Sequence, residues 1–222
     1  STTAMAGSGL FRLPAALNPM DWLAQPDKPG ISPEPSYQRP QGGIEARAFG
    51  NVVHLLVESM ANAIARGEEP DVTQWHPRAH ALLRAEGIAP GDLPHQTQQV
   101  VRALENMLMD PEGRWLLAPH TAAASESALE DETGRHVRTD RTFFASDAPL
   151  ASGEGTLWIV DFKSSENSGS DVAAFLAAQK KLYAPKMLEY AQTKRAQLGA
   201  ETPIILALYF PLLPALVYWQ AE

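Results

Sequence analysis

The chain of 222 residues has no cysteine, which excludes disulfide scaffolds, thiolate zinc fingers and cysteine-held iron–sulfur clusters. No apolar run approaches the roughly 18 to 20 residues needed to span a bilayer, and no leader pattern opens the chain. An excess of positive charge is missing too. The 26 acidic side chains outweigh 18 Lys plus Arg, a formal charge of −8, whereas a nucleic-acid binder usually shows a basic footprint. Internal repeats are absent. What is present is an ordinary globular composition, 45% apolar and 20% charged, long enough to bury a core as one domain or as one domain with an accessory lobe. These features lead to the expectation of a cytoplasmic protein with no membrane partner. The first residue is Ser1 rather than Met, which suggests either the remnant of a tag or a piece of a longer protein.

The acidity is all in the front. Residues 1–134 carry 17 acidic and 9 basic side chains, whereas residues 135–222 carry 9 of each. Within 171–195, Lys180, Lys181, Lys186, Lys194 and Arg195 face only Asp171 and Glu189. Such a stretch reads either as a solvated helix face or as a local contact for an anionic ligand.

Residues 1–43 are rich in Pro and Gly and have no sustained period, so they read as an extended arm or linker. From Ile44 the pattern changes. Phe49, Val52, Val53, Leu56, Met60 and Ile64 recur at helical spacing over 44–66, and further helices are expected at about 77–86 and 94–109, the last stopped by Pro111. Residues 125–130 and 135–145 read as a hairpin around the turn at 131–134, and 156–163 (TLWIVDFK) as a mostly apolar strand. A long helix over 170–198, bent at Pro185, precedes a buried strand over 202–210 and a last strand over 215–220. The order helix, three strands, helix, strand predicts an α/β fold: a mixed central sheet flanked by helices, with a helical insert at about 70–120 forming an added lobe.

The chemistry is concentrated in Asp140, Asp161 and Lys163. Asp161-Phe162-Lys163 is the only acid-x-Lys triplet in the chain, and period two puts both charged side chains on one face of a strand whose preceding residues are apolar. Asp140 lies in the preceding strand, so neighbouring strands can bring two carboxylates to one point. Converging carboxylates repel unless a cation joins them, and hard oxygen ligands suit Mg²⁺ or Mn²⁺. A lysine beside that cation is placed to position a water and to stabilise charge on a phosphate. The same residues admit a plainer reading as surface ion pairs, Asp161 with Lys163 and Asp140 with Arg141.

The runs GRHVRTDRTFF, GTLWIVDFKSS and QKKLYAPKMLEYA together resemble the PD-(D/E)xK nuclease domain of the RecB/AddA type, found at the C-terminus of UvrD-like helicase-nucleases. The resemblance covers about residues 44–66 and 125–212. It implies a restriction-endonuclease-like core of order αβββαβ over 44–222. It also implies metal ligands at His54 (in a Gly50-x-x-x-His54 setting), Asp140, Asp161 and the Phe162 carbonyl, with catalysis by Asp140, Asp161 and Lys163. Gln179 and Tyr183 match the family's Gln-x-x-x-Tyr on the following helix. They would support the site and touch the nucleic-acid backbone, and Lys186 would extend that phosphate-facing stripe. The implied activity is Mg²⁺- or Mn²⁺-dependent cleavage of DNA, in single-stranded form, fed by helicase motor domains of the same parent chain or by a partner subunit of a helicase-nuclease complex. The rival reading is a catalytically silent DNA-binding or protein-docking module that keeps the nuclease fold.

Overall fold

The computed structural model describes residues 43–130, 136–165 and 171–222. Apart from Gly43, the arm expected over 1–43 lies outside the described residues, as does the hairpin turn at 131–134. Four helices come first: α1 (Ile44–Ala65), α2 (Trp75–Ala85), α3 (Leu93–Met109) and α4 (Pro111–Leu117). They are followed by β1 (Thr121–Glu130), β2 (His136–Ala145), β3 (Thr156–Phe162), α5 (Val172–Leu198), β4 (Ile204–Phe210) and β5 (Ala215–Gln220). The strands form one five-stranded mixed sheet in chain order, antiparallel except for β3 and β4. Two parallel strands need a long crossover between them, and α5 supplies it.

The sequence predicts only that Pro111 ends the third helix. In the structure Pro111 also begins α4, because its missing N–H and fixed φ suit the first helical position. Asp110 caps that helix, its side chain accepting from the Gly113 N–H at 2.9 Å. The first strand starts earlier than expected, at Thr121, and a bulge between Thr121 and Ala124 absorbs the irregular register. Pro185 lies inside α5, which runs continuously to Leu198.

Strand alternation divides the core into two layers. Phe143, Trp158, Val160, Phe162, Ile205, Ala207 and Tyr209 face the helical lobe and pack with the apolar stripe of α1 and with α2 to α4. Leu157, Ile159, Ile204, Leu206, Leu208 and Phe210 face α5, meeting Met187, Tyr190 and Ala191. Every residue of β3 and β4 is buried, which explains why both read as near-continuous apolar runs rather than alternating ones. By length and mean hydropathy α1 meets the minimum for a bilayer-crossing helix. Its apolar residues Val52, Val53, Leu56, Val57 and Met60 are nevertheless each at most 2% exposed within this core.

Arg141 joins the two halves. Its guanidinium is buried against the end of α4, donating to the Ala118 carbonyl at 2.8 Å and to Ser125 Oγ at 3.0 Å. A cation is favoured there by the carbonyls left free at a helix C-terminus. Burial lowers its pKa to about 10, which still leaves it charged at neutral pH. At the start of α5, Asp171 accepts from the Ala174 N–H at 2.9 Å. Asp171→Ala is expected to cost about 1 kcal/mol, the usual worth of such a cap, read as a lower urea midpoint at unchanged slope.

Candidate active site

The site is built where β2 and β3 part. Their ladder runs from Ala145↔Thr156 to Arg141↔Val160 and stops. One residue further on, the Asp140 side chain takes over from the backbone, with Oδ2 accepting from the Phe162 N–H at 2.7 Å. On the other side of β3, the Lys163 N–H donates to the Tyr209 carbonyl of β4 at 2.8 Å, so the strand end is pinned from both edges. Alternation puts Asp140 on the same face as Thr142 and Phe144, and Asp161 on the same face as Leu157 and Ile159. Both carboxylates therefore lie on the α5 side of the sheet.

From the lobe side, α1 brings His54 to this point. The imidazole Nε2 is 2.9 Å from the Phe162 carbonyl oxygen, a backbone acceptor that β2 has left unpaired, and Nδ1 is 3.3 Å from Asp140 Oδ1. The ring also meets the Phe162 ring edge-on at 6.4 Å. One turn earlier on α1 is Gly50, where a Cβ would come to 3.4 Å from Ser164 Oγ, so the small residue lets α1 approach the segment that follows β3. The sequence does not single out Ser164. The only hint of its place is its position directly after Lys163.

Asp161 and Lys163 form the other half. Lys163 Nζ is 2.5 Å from Asp161 Oδ2, and it also sits 3.9 Å from the centre of the Tyr183 ring on α5. The two charges are in direct contact, so Lys163 is the partner of this buried carboxylate oxygen. The surface-pair reading is thus half right about partners and wrong about place. Asp161 does pair with Lys163, but Asp161 is 7% exposed. Asp140 does not pair with Arg141, whose side chain points to the opposite layer.

The charges split the two carboxylates. Burial is the largest influence on Asp140 and acts to raise its pKa. The hydrogen bond and charge of His54, the Phe162 N–H and the Lys163 charge outweigh it, so Asp140 is held below the ordinary carboxylate value. Burial also leads at Asp161, and there the Asp140 charge adds to it. Lys163 and His54 do not compensate, so Asp161 is pushed up. Burial acts to lower His54, but the bond to Asp140, the charges of both acids and the Phe162 carbonyl leave it raised.

Of the residues expected at the site, His54, Asp140 and the Phe162 carbonyl are in direct contact, and Asp161, Lys163 and Tyr183 form an adjoining group. Gln179 lies one turn before Tyr183 on α5 and keeps a buried Oε1 with no hydrogen-bond partner. Lys186 is held over the Tyr190 ring, 5.4 Å from its centre. Burial acts to lower the Lys186 pKa, yet its bond to Tyr190 and the charges of Asp161 and Asp140 leave it raised. Tyr190 is a supporting residue that the sequence reading passes over, although its place four residues after Lys186 on the same helix was the available signal.

Among the described residues, no three His, Asp or Glu side chains stand together as a ready-made ligand cluster. The donor set nonetheless suits a hard divalent cation. Two carboxylates, a carbonyl oxygen and an imidazole are converging donors, and burial together with the charge of Asp140 disfavours the ionised form of Asp161 in the absence of a further cation. Compared with known proteins, the chain matches no family model and no curated protein.

Proposed function

We propose that this chain is a metal-dependent deoxyribonuclease domain of the RecB/AddA type, built on a restriction-endonuclease-like core. It would act in the cytoplasm on single-stranded DNA delivered by a fused UvrD-like helicase, in recombinational repair or DNA end processing. The observation that carries this reading is the meeting of His54, Asp140 and the Phe162 carbonyl at one strand end, with the Asp161–Lys163 pair alongside.

In this reading His54, Asp140, Asp161 and the Phe162 carbonyl hold Mg²⁺ or Mn²⁺. When bound, the ion would supply Lewis-acid polarisation of the phosphate and neutralise the carboxylate pair. The remaining work belongs to the chain itself. Lys163, freed from Asp161, positions the attacking water by hydrogen bonding and offsets the charge that grows on the phosphoryl oxygens. Tyr183 fixes the Lys163 ammonium from the α5 side. Gln179, through its amide N–H donors, and Lys186 contact the DNA backbone from the same helix. Asp140 orients His54 and pins the Phe162 amide, keeping the carbonyl turned toward the imidazole.

The test is cleavage of single-stranded DNA with Mn²⁺ by wild type, Asp161→Ala and Lys163→Ala. Cleavage by wild type that both variants lose is the expected result. Equal cleavage in all three points to a contaminant and to the silent-module reading.

A further inference from the structure

We infer that the shallow furrow between α1, α3 and the segment after Lys163 seats the base and sugar of the nucleotide next to the cleaved bond, which gives the helical lobe a role in holding substrate. This rests on the nuclease reading. The furrow is lined by Phe49, His95, Gln96, Gln99, Ser164 and Leu212, so it begins directly beside Lys163 and opposite Gly50, one turn from His54.

Its chemistry favours base and sugar over phosphate. Phe49, Ala46 and Leu212 give it an apolar surface, while Gln96, Gln99, His95 and the Ser164 hydroxyl give it donors and acceptors of both kinds. The one formal charge among the described residues lining it is Glu45, which repels phosphate. Side-chain amides over an apolar floor are the equipment for hydrogen bonding to base edges and sugars. At about 270 Å³ the furrow is smaller than the pockets that enclose free small molecules, but it suits one unit of a polymer anchored elsewhere.

The helix then continues the path. His95, Gln99 and Arg102 are four and three residues apart, so they share one face of α3, and Arg102 is exposed there. From Gln96 to Arg102 the helix advances about 9 Å. A strand leaving the site over the furrow meets neutral hydrogen-bonding groups first and a cation next. That order matches a nucleotide followed by the phosphate beyond it.

The test uses fluorescence anisotropy of a labelled single-stranded oligothymidine on the full chain, with Ca²⁺ replacing Mg²⁺ to limit cleavage. A parallel oligonucleotide carrying 4-thiothymidine is photo-crosslinked and the attachment mapped. The variants are Gln96→Ala/Gln99→Ala together and Asp161→Ala, with thermal midpoints checked for folding. The expected result is crosslinking to α3 in wild type and about tenfold weaker DNA binding by the Gln96/Gln99 variant at an unchanged midpoint, the size expected for two lost hydrogen bonds. Unchanged affinity, or crosslinks that avoid α3, would overturn the subsite while leaving Asp161-dependent cleavage intact. Cleavage indifferent to Asp161 would overturn the nuclease reading, and the subsite with it.

Discussion

Asp161→Asn is expected to abolish DNA cleavage and, in the metal-free protein at neutral pH, to raise the thermal midpoint by a few degrees. Both effects have the same cause. The carboxylate is almost wholly buried and faces the charge of Asp140. Asparagine removes the buried charge and keeps the shape. It also removes the ion pair with Lys163, which acts in the opposite direction. The raised pKa of Asp161 decides between them, because it means that the folded surroundings disfavour the ionised form even with Lys163 in place. In the proposed nuclease the charge is that of a metal ligand. Losing a merely supporting group of a metal site costs up to about 100-fold, so loss of a carboxylate ligand should exceed that.

The pH dependence follows from the same direction. A carboxyl group whose folded pKa lies above its unfolded value binds more protons in the native state over the window between the two. Its contribution to stability therefore falls as pH rises through that window. The advantage of Asp161→Asn should be largest at neutral pH and should shrink as pH falls below the ordinary carboxylate range, where both states carry a protonated Asp161. Mg²⁺ should reverse the ranking by stabilising wild type more than the variant, since a ligand that binds only the native state adds to its stability. Thermal scans of both proteins at neutral and acidic pH, with and without Mg²⁺, check all of this. A variant less stable than wild type in metal-free neutral buffer would show that the Lys163 pair outweighs the burial of the charge.

The meeting of His54 with Phe162 and Asp140 was legible in the sequence as residue types, but not as geometry. Period two places Asp161 and Lys163 on one face, and the side-chain arrangement agrees, because both lie toward α5 where Tyr183 covers the lysine. No local pattern says that the β2–β3 ladder stops at Arg141, and that stop is what frees the Phe162 carbonyl for His54. Arg141 shows the limit most clearly. Its neighbour in sequence is Asp140, yet alternation sends the two side chains to opposite layers, and the partners of Arg141 are carbonyls at the end of a helix that the sequence reading had not placed. That helix was missed because Pro111 signals a stop and a start equally well. Which one applies depends on Asp110 capping the next turn, and that depends on a tertiary partner more than 90 residues away.

That partner is Tyr209, and it sets the second large expected effect: Gly113→Ala should cost about 3 kcal/mol or more, or prevent folding. The Tyr209 hydroxyl donates to Asp110 Oδ2 at 2.9 Å, and the same oxygen accepts from the Gly113 N–H at 2.9 Å, tying the start of α4 to the middle of the sheet. A Cβ at Gly113 would lie 2.4 Å from the Met107 carbonyl oxygen and 2.6 Å from Tyr209 Oη. The first obstacle is backbone inside α3 and the second a buried, hydrogen-bonded phenol, so neither can swing aside cheaply. Overpacking of this kind costs ~1–3 kcal/mol where neighbours can shift, and more where they are backbone. In a chain of this size a loss of 3 kcal/mol corresponds to a fall of roughly 6–12 °C in the thermal midpoint. Tyr209→Phe alone should cost about 1.5–3 kcal/mol for a hydrogen bond to a charged group, but it also clears one of the two obstacles. The double variant Gly113→Ala/Tyr209→Phe should therefore lose less than the sum of the two single losses, by at least ~0.5 kcal/mol in urea unfolding. Strict additivity would mean that the clash is taken up entirely by the Met107 carbonyl, and a near-neutral Gly113→Ala would mean that α3 and α4 can separate without disturbing the sheet.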